Sequence, residues 1–483
     1  MTASRSTLVL VGVGTYVLVI LAVGLWAGRR VEDQTDYIVA GRRMGVGLLI
    51  FTLFATFFGG GTIMGVAGAA HGEGLVGVIA DPFGAGMALI IAAFLFFRVM
   101  RRMKLLTVVD FFRVRFGPRA EMLAGLCMIP PYVGWVASQF VAFGFILHTL
   151  TGIDTTLAMV LSAGIVIVYT VVGGLWAVAL TDFIQASILI VGLLLLCFIV
   201  LDHAGGWPAV AAQLPSGHLD LLPPADLKSW LWYIQAWIVI GLGGIPAQDI
   251  MQRAVSARSE NTAVAAGYIS GAMYLVFGMI PITLGLVAAV TMPEVDNPEF
   301  VVPALAMEHL HPVALALVLG AIISGIMSSA DSALLAPASV IGENLGRAGG
   351  RRLSPRQVLA ASRWSVVLLG LLSLGLALYF QRIYDVMVNS WAILLVALFA
   401  PLLAGVYWKR ANGTAAVAAI LAGLVSWLLL SLLLDEWPAD VFAAVVSTVT
   451  LVVVAFATGK RDAPLPLCTL DGEAIGHDRK FGL

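Results

Sequence analysis

The chain of 483 residues is 60% hydrophobic and only 11% charged, whereas a soluble domain is nearer half apolar and a quarter charged. This composition excludes a soluble globular protein and predicts a membrane protein with many spans. The formal net charge is −1, and the three cysteines, Cys127, Cys197 and Cys468, are scattered, which excludes a disulfide framework and a CxxC metal pair.

Long apolar runs recur along the whole chain and predict an all-α polytopic protein, since about 20 apolar residues cross a bilayer. The first run is too long for the core of a signal peptide and lacks a cleavage pattern, so we interpret it as a retained span. The thirteen predicted transmembrane helices, called the first to thirteenth spans, are 7–27, 46–70, 75–97, 120–148, 156–173, 182–201, 229–251, 264–290, 312–344, 358–380, 384–407, 413–434 and 438–457.

Positive charge in the loops predicts the orientation, because Lys and Arg concentrate on the cytoplasmic side. With the N-terminus outside and the C-terminus inside, 24 of the 27 Lys and Arg residues fall in inside loops or the tail. The outside loop 291–311 contains four acidic residues and no Lys or Arg. A missed or additional span would scramble this sorting, so it supports the predicted count.

Glycine interrupts two of the predicted spans. The second span contains FFGGG at 57–61, and the seventh contains GLGGIPAQD at 241–249. The two spans lie five apart and run in opposite directions, as in inverted-repeat transporters whose broken helices meet at a midplane site. A single glycine cluster favours close helix packing, but two in register favour an ion and substrate site, where unwound carbonyls become ligands.

The repeat predicts a division of the chain with no separate soluble domain. We expect the polar tail to be flexible. The predicted parts are an N-terminal span and loop at 1–45, a first five-helix repeat at 46–201, an outside loop at 202–228, a second five-helix repeat at 229–407, two peripheral spans at 408–458, and the tail at 459–483.

The ninth span holds the most polar stretch inside any span, GAIISGIMSSADSALL at 320–335. Its serines at 324, 328 and 332 are spaced four apart and therefore share one helical face. Such a stripe also occurs in tight helix seams, but hard cations prefer oxygen ligands. Asp331 favours the functional interpretation, because ionisable groups inside a membrane are costly and usually face a pathway.

These motifs resemble the sodium:solute symporter family over nearly the whole chain. YTVVGGLWAVALTDFIQ at 169–185 is similar to the family signature after its fifth span, and SGIMSSADSALL at 324–335 to its sodium-site helix. Within the family the chain is most similar to the high-affinity choline transporter group, through FFGGG, GGIPAQ, Gln252-Arg253 and MSSADS. The resemblance implies a LeuT-type core of five plus five helices.

The resemblance also implies a Na⁺ site shared by the second and ninth spans. Its ligands would be three backbone carbonyls and two hydroxyls, from Ala55, Phe58, Gly325, Ser328 and Ser329.

Asp182 matches an acidic residue that family members place on the inner release path or at a second sodium. With Ser328, Asp331 and Ser332 it would form a second cation site. The alternative from the sequence is that Asp182 caps the sixth span, which it begins.

The substrate site remains open in the sequence. Choline transporters hold their quaternary amine in an aromatic cage by cation–π attraction, and the cage tryptophans fall here on Phe57, Ser138 and Ala247. Tyr132, Trp135 and Trp237 are near enough in sequence to rebuild an aromatic wall, although each alternatively packs or faces lipid. Gln248 and Asp249 alternatively tie the broken seventh span to its neighbours. The other candidates are Thr62, Asp81, Tyr132, Trp135, Gln139, Trp237 and Gln248, and Asp249 is a further polar residue on these spans.

The sequence therefore predicts a transporter in the cell membrane and not an enzyme. Na⁺ would drive import of a small polar organic solute by alternating access. Asp81, with no Lys or Arg at midplane, slightly favours an amine-bearing or zwitterionic solute. The predicted partners are Na⁺, the solute and membrane lipid, with no nucleic acid.

Two other functions stay open. The first is a proton-coupled symporter in which Asp182 or Asp331 titrates. The second is a membrane sensor on a transporter fold, although no signalling domain follows residue 459. A channel is disfavoured, because no filter motif or repeated pore segment is present.

Overall fold

The computed structural model describes residues 3–28, 33–347, 353–379, 383–434, 436–459, 461–475 and 481–482. Helices are the main elements of these residues. The described chain also has two isolated β-bridges, Met44 to Ala257 and Cys468 to Ala474. Nine helices of the described chain are long and apolar enough to cross a membrane, and ten when one bent pair is counted as a single span. The all-α membrane architecture is therefore confirmed, with nine or ten helices meeting this measure where thirteen spans are predicted.

The nine helices match the predicted third, fourth, sixth and eighth to thirteenth spans. The bent pair, Val46–Phe57 and Gly61–Glu73, is the second span. The nine are Val76–Arg102, Pro118–Thr151, Gly174–His203, Glu260–Thr291, Pro312–Glu343, Pro355–Tyr379, Ile383–Tyr407, Gly413–Leu433 and Ala439–Thr458.

The three remaining predicted spans are also helical but shorter in their apolar part. The first lies in Ala3–Gly28, and the fifth is Thr155–Val171. The seventh consists of two helices, Leu227–Gly241 and Gln248–Ser256. The fifth span runs into the sixth through a kink at Gly174, which has φ 58° and an ideal Cβ position 2.7 Å from the Tyr37 ring, so only glycine fits there.

Three spans are interrupted near the middle of the molecule. The second bends by 59° between its two helices, and the seventh has no helix over residues 242–247. The third is a break that the sequence analysis did not predict: Asp81, within Val76–Arg102, is extended, with φ −141° and ψ 125°. These breaks release backbone groups in the interior of the protein.

The ninth span is the centre of the packing. Every residue from Val318 to Val340 is buried, and the helix packs against the first, fourth, sixth and tenth spans. The twelfth and thirteenth spans pack against each other and against the eleventh, and they expose many large apolar side chains such as Leu432 and Val453. The polar face of the ninth span therefore lies inside the protein, not towards lipid.

The described part of the tail contacts the helices, where the sequence predicts a flexible tail. The Phe481 ring stacks on Phe94 and on Tyr407, with centroids 5.3 Å away in each case. Gly482 N–H donates to the Phe94 carbonyl at 2.7 Å, and Arg98 Nε donates to the Phe481 carbonyl at 2.9 Å. The tail thus joins the third and eleventh spans.

Candidate functional site

The break in the second span faces the serines of the ninth. The Ala55 carbonyl accepts from Ser329 Oγ at 3.2 Å and from Ser328 Oγ at 3.4 Å. A Cβ placed on Gly325 would lie 3.2 Å from the Phe58 carbonyl oxygen, so the absence of a side chain lets the two helices meet there. The structure brings together all five residues predicted for the Na⁺ site, and all five are buried.

Glycine and glutamine shape this break. A Cβ on Gly59 would lie 2.3 Å from Ser329 Oγ and 2.7 Å from Gln139 Oε1, so a larger residue here would displace these side chains. Gly60 N–H, released by the end of the first helix, donates to Gln139 Oε1 of the fourth span at 2.8 Å. Because buried backbone N–H groups need a partner, Gln139, predicted as a substrate residue, supports the broken backbone here.

Asp182 lies inside the sixth span and not at its start. The helix begins at Gly174, so the interpretation of Asp182 as an N-terminal cap is wrong. Its carboxylate is fully buried and accepts from the hydroxyls of Thr52 and Ser328. Ser328 therefore contacts both the Ala55 carbonyl and the Asp182 carboxylate, which connects the two predicted cation sites.

A buried guanidinium completes the second group of residues. Arg253 Nη2 lies 3.5 Å from Asp182 Oδ2 and donates to Ser332 Oγ at 2.6 Å. Ser332 in turn donates to Asp331 Oδ1 at 3.3 Å. Among the described residues, Asp331 Oδ2 has no hydrogen-bond partner. Arg253 carries only a family motif in the sequence, and its contact with Asp182 was not predicted.

Two acidic side chains and one basic side chain therefore share this buried group. Asp182, Asp331 and Arg253 are each 0% exposed. If both carboxyl groups are ionised, the group carries one negative charge without a counter-ion, which is costly in a membrane interior. A bound cation or a proton on one carboxyl group would remove that cost.

Five aromatic side chains form a buried cluster beside the break. The Phe57 ring is stacked between two indoles, 5.4 Å from Trp135 and 5.5 Å from Trp391. Tyr132 packs against both indoles, and Tyr274 meets Phe57 edge-on at 6.5 Å. We call these five residues the aromatic cluster. Trp391 and Tyr274 were missed from the sequence, where no spacing distinguishes them from packing residues of the eleventh and eighth spans.

One carboxylate lies at the Tyr274 side of the cluster. Asp81 is 1% exposed and accepts from Tyr274 OH at 2.8 Å and from Thr62 Oγ1 at 2.5 Å. The same two hydroxyls lie 3.2 and 3.1 Å from the Phe57 carbonyl. The predicted pair Thr62 and Asp81 is therefore attached directly to the break. Pro82 is the sequence signal for the extended Asp81, since a residue before proline avoids the helical region.

A second carboxylate lies at the Tyr132 side. Asp249 is in the first turn of the helix that resumes the seventh span, and its Oδ1 accepts from Tyr132 OH. Asp249 is 0% exposed, and among the described residues its Oδ2 has no hydrogen-bond partner. Asp249 is the last residue of the predicted break, GLGGIPAQD, and one of the polar residues expected on the site-lining spans, but its contact with Tyr132 was not predicted.

The other predicted substrate residues have different surroundings. Trp237 is half-buried beside Phe83, 6.3 Å between centroids, and has no ring contact with the aromatic cluster in the described structure. Gln248 Oε1 accepts from Val108 N–H at 2.7 Å, which ties the seventh span to the helix Val108–Phe116. Ser138 donates to the Trp135 carbonyl of its own helix at 2.7 Å, and Ala247 is buried at the start of the resumed helix.

Comparison with known proteins matches the chain to one family. The sodium:solute symporter family model matches residues 37–423. High affinity choline transporter 1 of Homo sapiens is 30% identical over 86% of this chain and 75% of that protein. The osmoregulated proline transporter OpuE of Bacillus subtilis (strain 168) is 26% identical over 87% of this chain and 88% of that protein.

Solved structures share the fold at low sequence identity. A Na⁺-coupled sialic acid symporter in a substrate-bound outward-open state matches with a TM-score of 0.80 and 20% identity, over 95% of this chain and 98% of that one. A nucleobase-cation-symport-1 family transporter in a closed conformation matches with a TM-score of 0.62 and 14% identity, over 88% and 95%. These likenesses show a LeuT-type fold.

Proposed function

Because the chain belongs to the sodium:solute symporter family, we propose that it is a Na⁺-coupled symporter that moves a small polar organic solute by alternating access. Its relatives are transporters and not enzymes. The convergence of the Ala55 carbonyl with the hydroxyls of Ser328 and Ser329 carries this proposal.

The chemistry of this group suits Na⁺. Hard cations prefer oxygen ligands, and the groups that meet here are carbonyl and hydroxyl oxygens of the second and ninth spans. Neutral oxygens bind a monovalent cation without burying a fixed anion beside it. Ala55, Phe58, Gly325, Ser328 and Ser329 would hold the ion, and in this proposal the ion is cargo that drives the cycle.

The break in the second span couples the ion to the solute. Ala55 and Phe58 turn their carbonyls towards the ninth span, while the ring of Phe57, between them in sequence, enters the aromatic cluster. Na⁺ would fix the break against the ninth span and so place Phe57 for the solute. Two ligands that favour the same state bind cooperatively, which lets the Na⁺ gradient drive solute uptake.

The group around Asp182 is the proposed inner release path or second cation site. Ser328 connects it to the first site, so an ion leaving Ala55 meets the Asp182 carboxylate next. The charge of Asp331, which Arg253 only partly offsets, supports a second cation there. It equally supports the alternative of proton coupling, in which Asp331 or Asp182 carries the proton.

The acidic groups at the aromatic cluster favour an amine-bearing or zwitterionic solute. Choline and proline are the substrates in the names of two relatives, and both carry a positively charged nitrogen. Among the described residues, no Lys or Arg forms an ion pair with Asp81 or Asp249. An organic cation would supply the missing charge.

A thermal-shift screen of the purified protein tests the proposal. A library of small amines, amino acids and sugars is added in Na⁺ buffer and in K⁺ buffer of equal ionic strength. A substrate should raise the unfolding temperature more in Na⁺, because a ligand that binds only the folded state stabilises it in proportion to its occupancy. Uptake into vesicles that is equally fast without Na⁺ would contradict the sodium proposal and favour the proton alternative.

A further inference from the structure

The aromatic cluster has a carboxylate at each end, and each is reached through a tyrosine hydroxyl. Tyr274 donates to Asp81 on the side of the third span. Tyr132 donates to Asp249 on the side of the seventh span. The rings between them are stacked or tilted against one another, so the two acidic groups flank one continuous aromatic surface.

Neither carboxylate has a counter-ion within the described residues. The nearest candidate, Arg253, donates from Nη1 to the backbone carbonyl of Asp249 at 3.2 Å. Its other nitrogens are used by Thr52, Asp182 and Ser332. Two buried carboxylates without ion pairs are costly in a membrane interior. The cost falls when a cation binds between them.

The two carboxylates differ in whether an oxygen is left without a hydrogen-bond donor. Both oxygens of Asp81 already accept a hydroxyl, from Thr62 and Tyr274. Asp249 accepts only at Oδ1, and its buried Oδ2 has no partner among the described residues. Since a buried acceptor without a donor is costly, Asp249 Oδ2 is suited to a donor that the solute brings.

Aromatic faces alone do not choose between kinds of organic cation. Cation–π attraction acts on a quaternary ammonium as well as on a protonated amine. A carboxylate oxygen does choose, because only the protonated amine has an N–H to donate. A solute carboxylate is also disfavoured, since the cluster already holds two negative groups and Arg253 is engaged elsewhere.

We propose that the substrate is an organic cation with at least one N–H donor and no carboxylate, and that Asp249 accepts this N–H while the aromatic cluster surrounds the cation. Asp81 supplies the second negative charge, held by Tyr274 and Thr62. This inference rests on the proposed symport function and adds the chemical class of the solute. It makes Asp249 the residue that separates protonated amines from quaternary ammonium ions.

Matched pairs of cations test this inference on the purified full chain in Na⁺ buffer. N,N-dimethylethanolamine and choline differ by one N-methyl group in place of the N–H, and trimethylammonium and tetramethylammonium form a second pair. A hydrogen bond to a charged group corresponds to about 10- to 100-fold in affinity. The protonated member of at least one pair should bind tighter by about this factor, measured by calorimetry or by thermal shift.

Two variants identify the residue responsible. Asp249→Asn should remove most of the preference for the protonated amine. It should also weaken the binding of both members of each pair, because it removes one of the two negative charges beside the cation. Asp440→Asn is the matched control: Asp440 is also a buried carboxylate, but it accepts from Gln235 of the seventh span at 2.9 Å and lies in the thirteenth span. It should leave both affinities unchanged.

The results also separate this inference from the proposed function. Equal binding within both pairs, tighter binding of the quaternary members, or no binding of any of the four cations overturns the inference. If zwitterions such as proline alone give a Na⁺-dependent shift, the inference is overturned and the symport proposal stands. If no solute of the wider library responds to Na⁺, the symport proposal falls and this inference falls with it.

Discussion

Replacing Ser328 and Ser329 together by alanine tests the proposed ion site most directly. Both hydroxyls donate to the Ala55 carbonyl, at 3.4 and 3.2 Å, so the double variant removes two of the five proposed oxygen ligands. A hydrogen bond to a charged group contributes about 1.5–3 kcal/mol, which we take as the measure of one hydroxyl–Na⁺ contact. Loss of two contacts should weaken Na⁺ binding by about 100-fold or more, at 1.4 kcal/mol per factor of ten.

The assay is uptake into proteoliposomes as a function of external Na⁺, with the half-saturating Na⁺ concentration as the readout. Ser324→Ala is the control, because Ser324 lies one turn earlier on the same face and receives its hydrogen bond from Tyr16 OH. The single variants separate the two roles of the hydroxyls, since Ser328 also donates to Asp182. The half-saturating Na⁺ concentration of Ser324→Ala should equal that of the unaltered protein.

One result would refute this reasoning. If the double variant keeps the half-saturating Na⁺ concentration of the unaltered protein, the hydroxyls are not ion ligands. They would then serve only to hold the second and ninth spans together. In that case the unfolding temperature measured without Na⁺ should fall while Na⁺ dependence stays constant.

Three further substitutions follow from the contacts described. Gly59→Ala should abolish Na⁺-dependent uptake, since the new Cβ would lie 2.3 Å from a serine hydroxyl of the ion site; Gly47→Ala, with nothing within 4 Å, should leave uptake intact. Arg253→Gln should lower stability by about 3–5 kcal/mol in denaturant or thermal unfolding, because it leaves buried carboxylates unpaired. Adding Asp182→Asn should recover part of that loss, and no recovery would contradict the charge balance. Phe481→Ala should lower stability by about 1 kcal/mol, from the loss of aromatic stacking; an unchanged unfolding midpoint would show that the docked tail contributes no stability.

Local chemistry explains the parts of the architecture that the sequence predicts correctly. The breaks at FFGGG and GLGGIPAQD follow from residues that weaken a helix wherever they occur. The serine face of the ninth span follows from a spacing of four residues. The meeting of these elements follows from the resemblance to a known family. Each of these signals lies within a short stretch of chain.

The site contacts that the sequence does not predict are contacts between distant spans. Trp391 enters the aromatic cluster from the eleventh span, and no neighbouring residue in the sequence identifies it as a site residue. Arg253 and Asp182 are 71 residues apart in the sequence, and only the tertiary fold brings their side chains to 3.5 Å. Asp249 belongs to a predicted break, but its unpaired Oδ2 follows from the hydrogen bond that Tyr132 donates to Oδ1 from the fourth span. Such pairings depend on the tertiary fold.

The third break shows an intermediate case. Asp81 was selected because an ionisable group deep in a span is a functional candidate, and although Pro82 follows it, the helix was expected to continue. The structure places Asp81 in an extended conformation and within reach of Thr62 and Tyr274. A proline in a long apolar run predicts a disturbed helix. The extent of the break and the partners of the released side chain depend on the neighbouring helices.

The glycines of the second span have a consequence for how this sequence can change during evolution. Gly59 faces Ser329 of the ninth span, and a Cβ on Gly61 would lie 2.0 Å from Met387 Sδ of the eleventh. The glycines of one short motif are thus each matched to a different helix. A descendant that replaces one of them needs the partner side chain to shift or to be replaced by a smaller one. These positions should therefore covary as separate pairs in an alignment of relatives, Gly59 with Ser329 and Gly61 with Met387, rather than as one block.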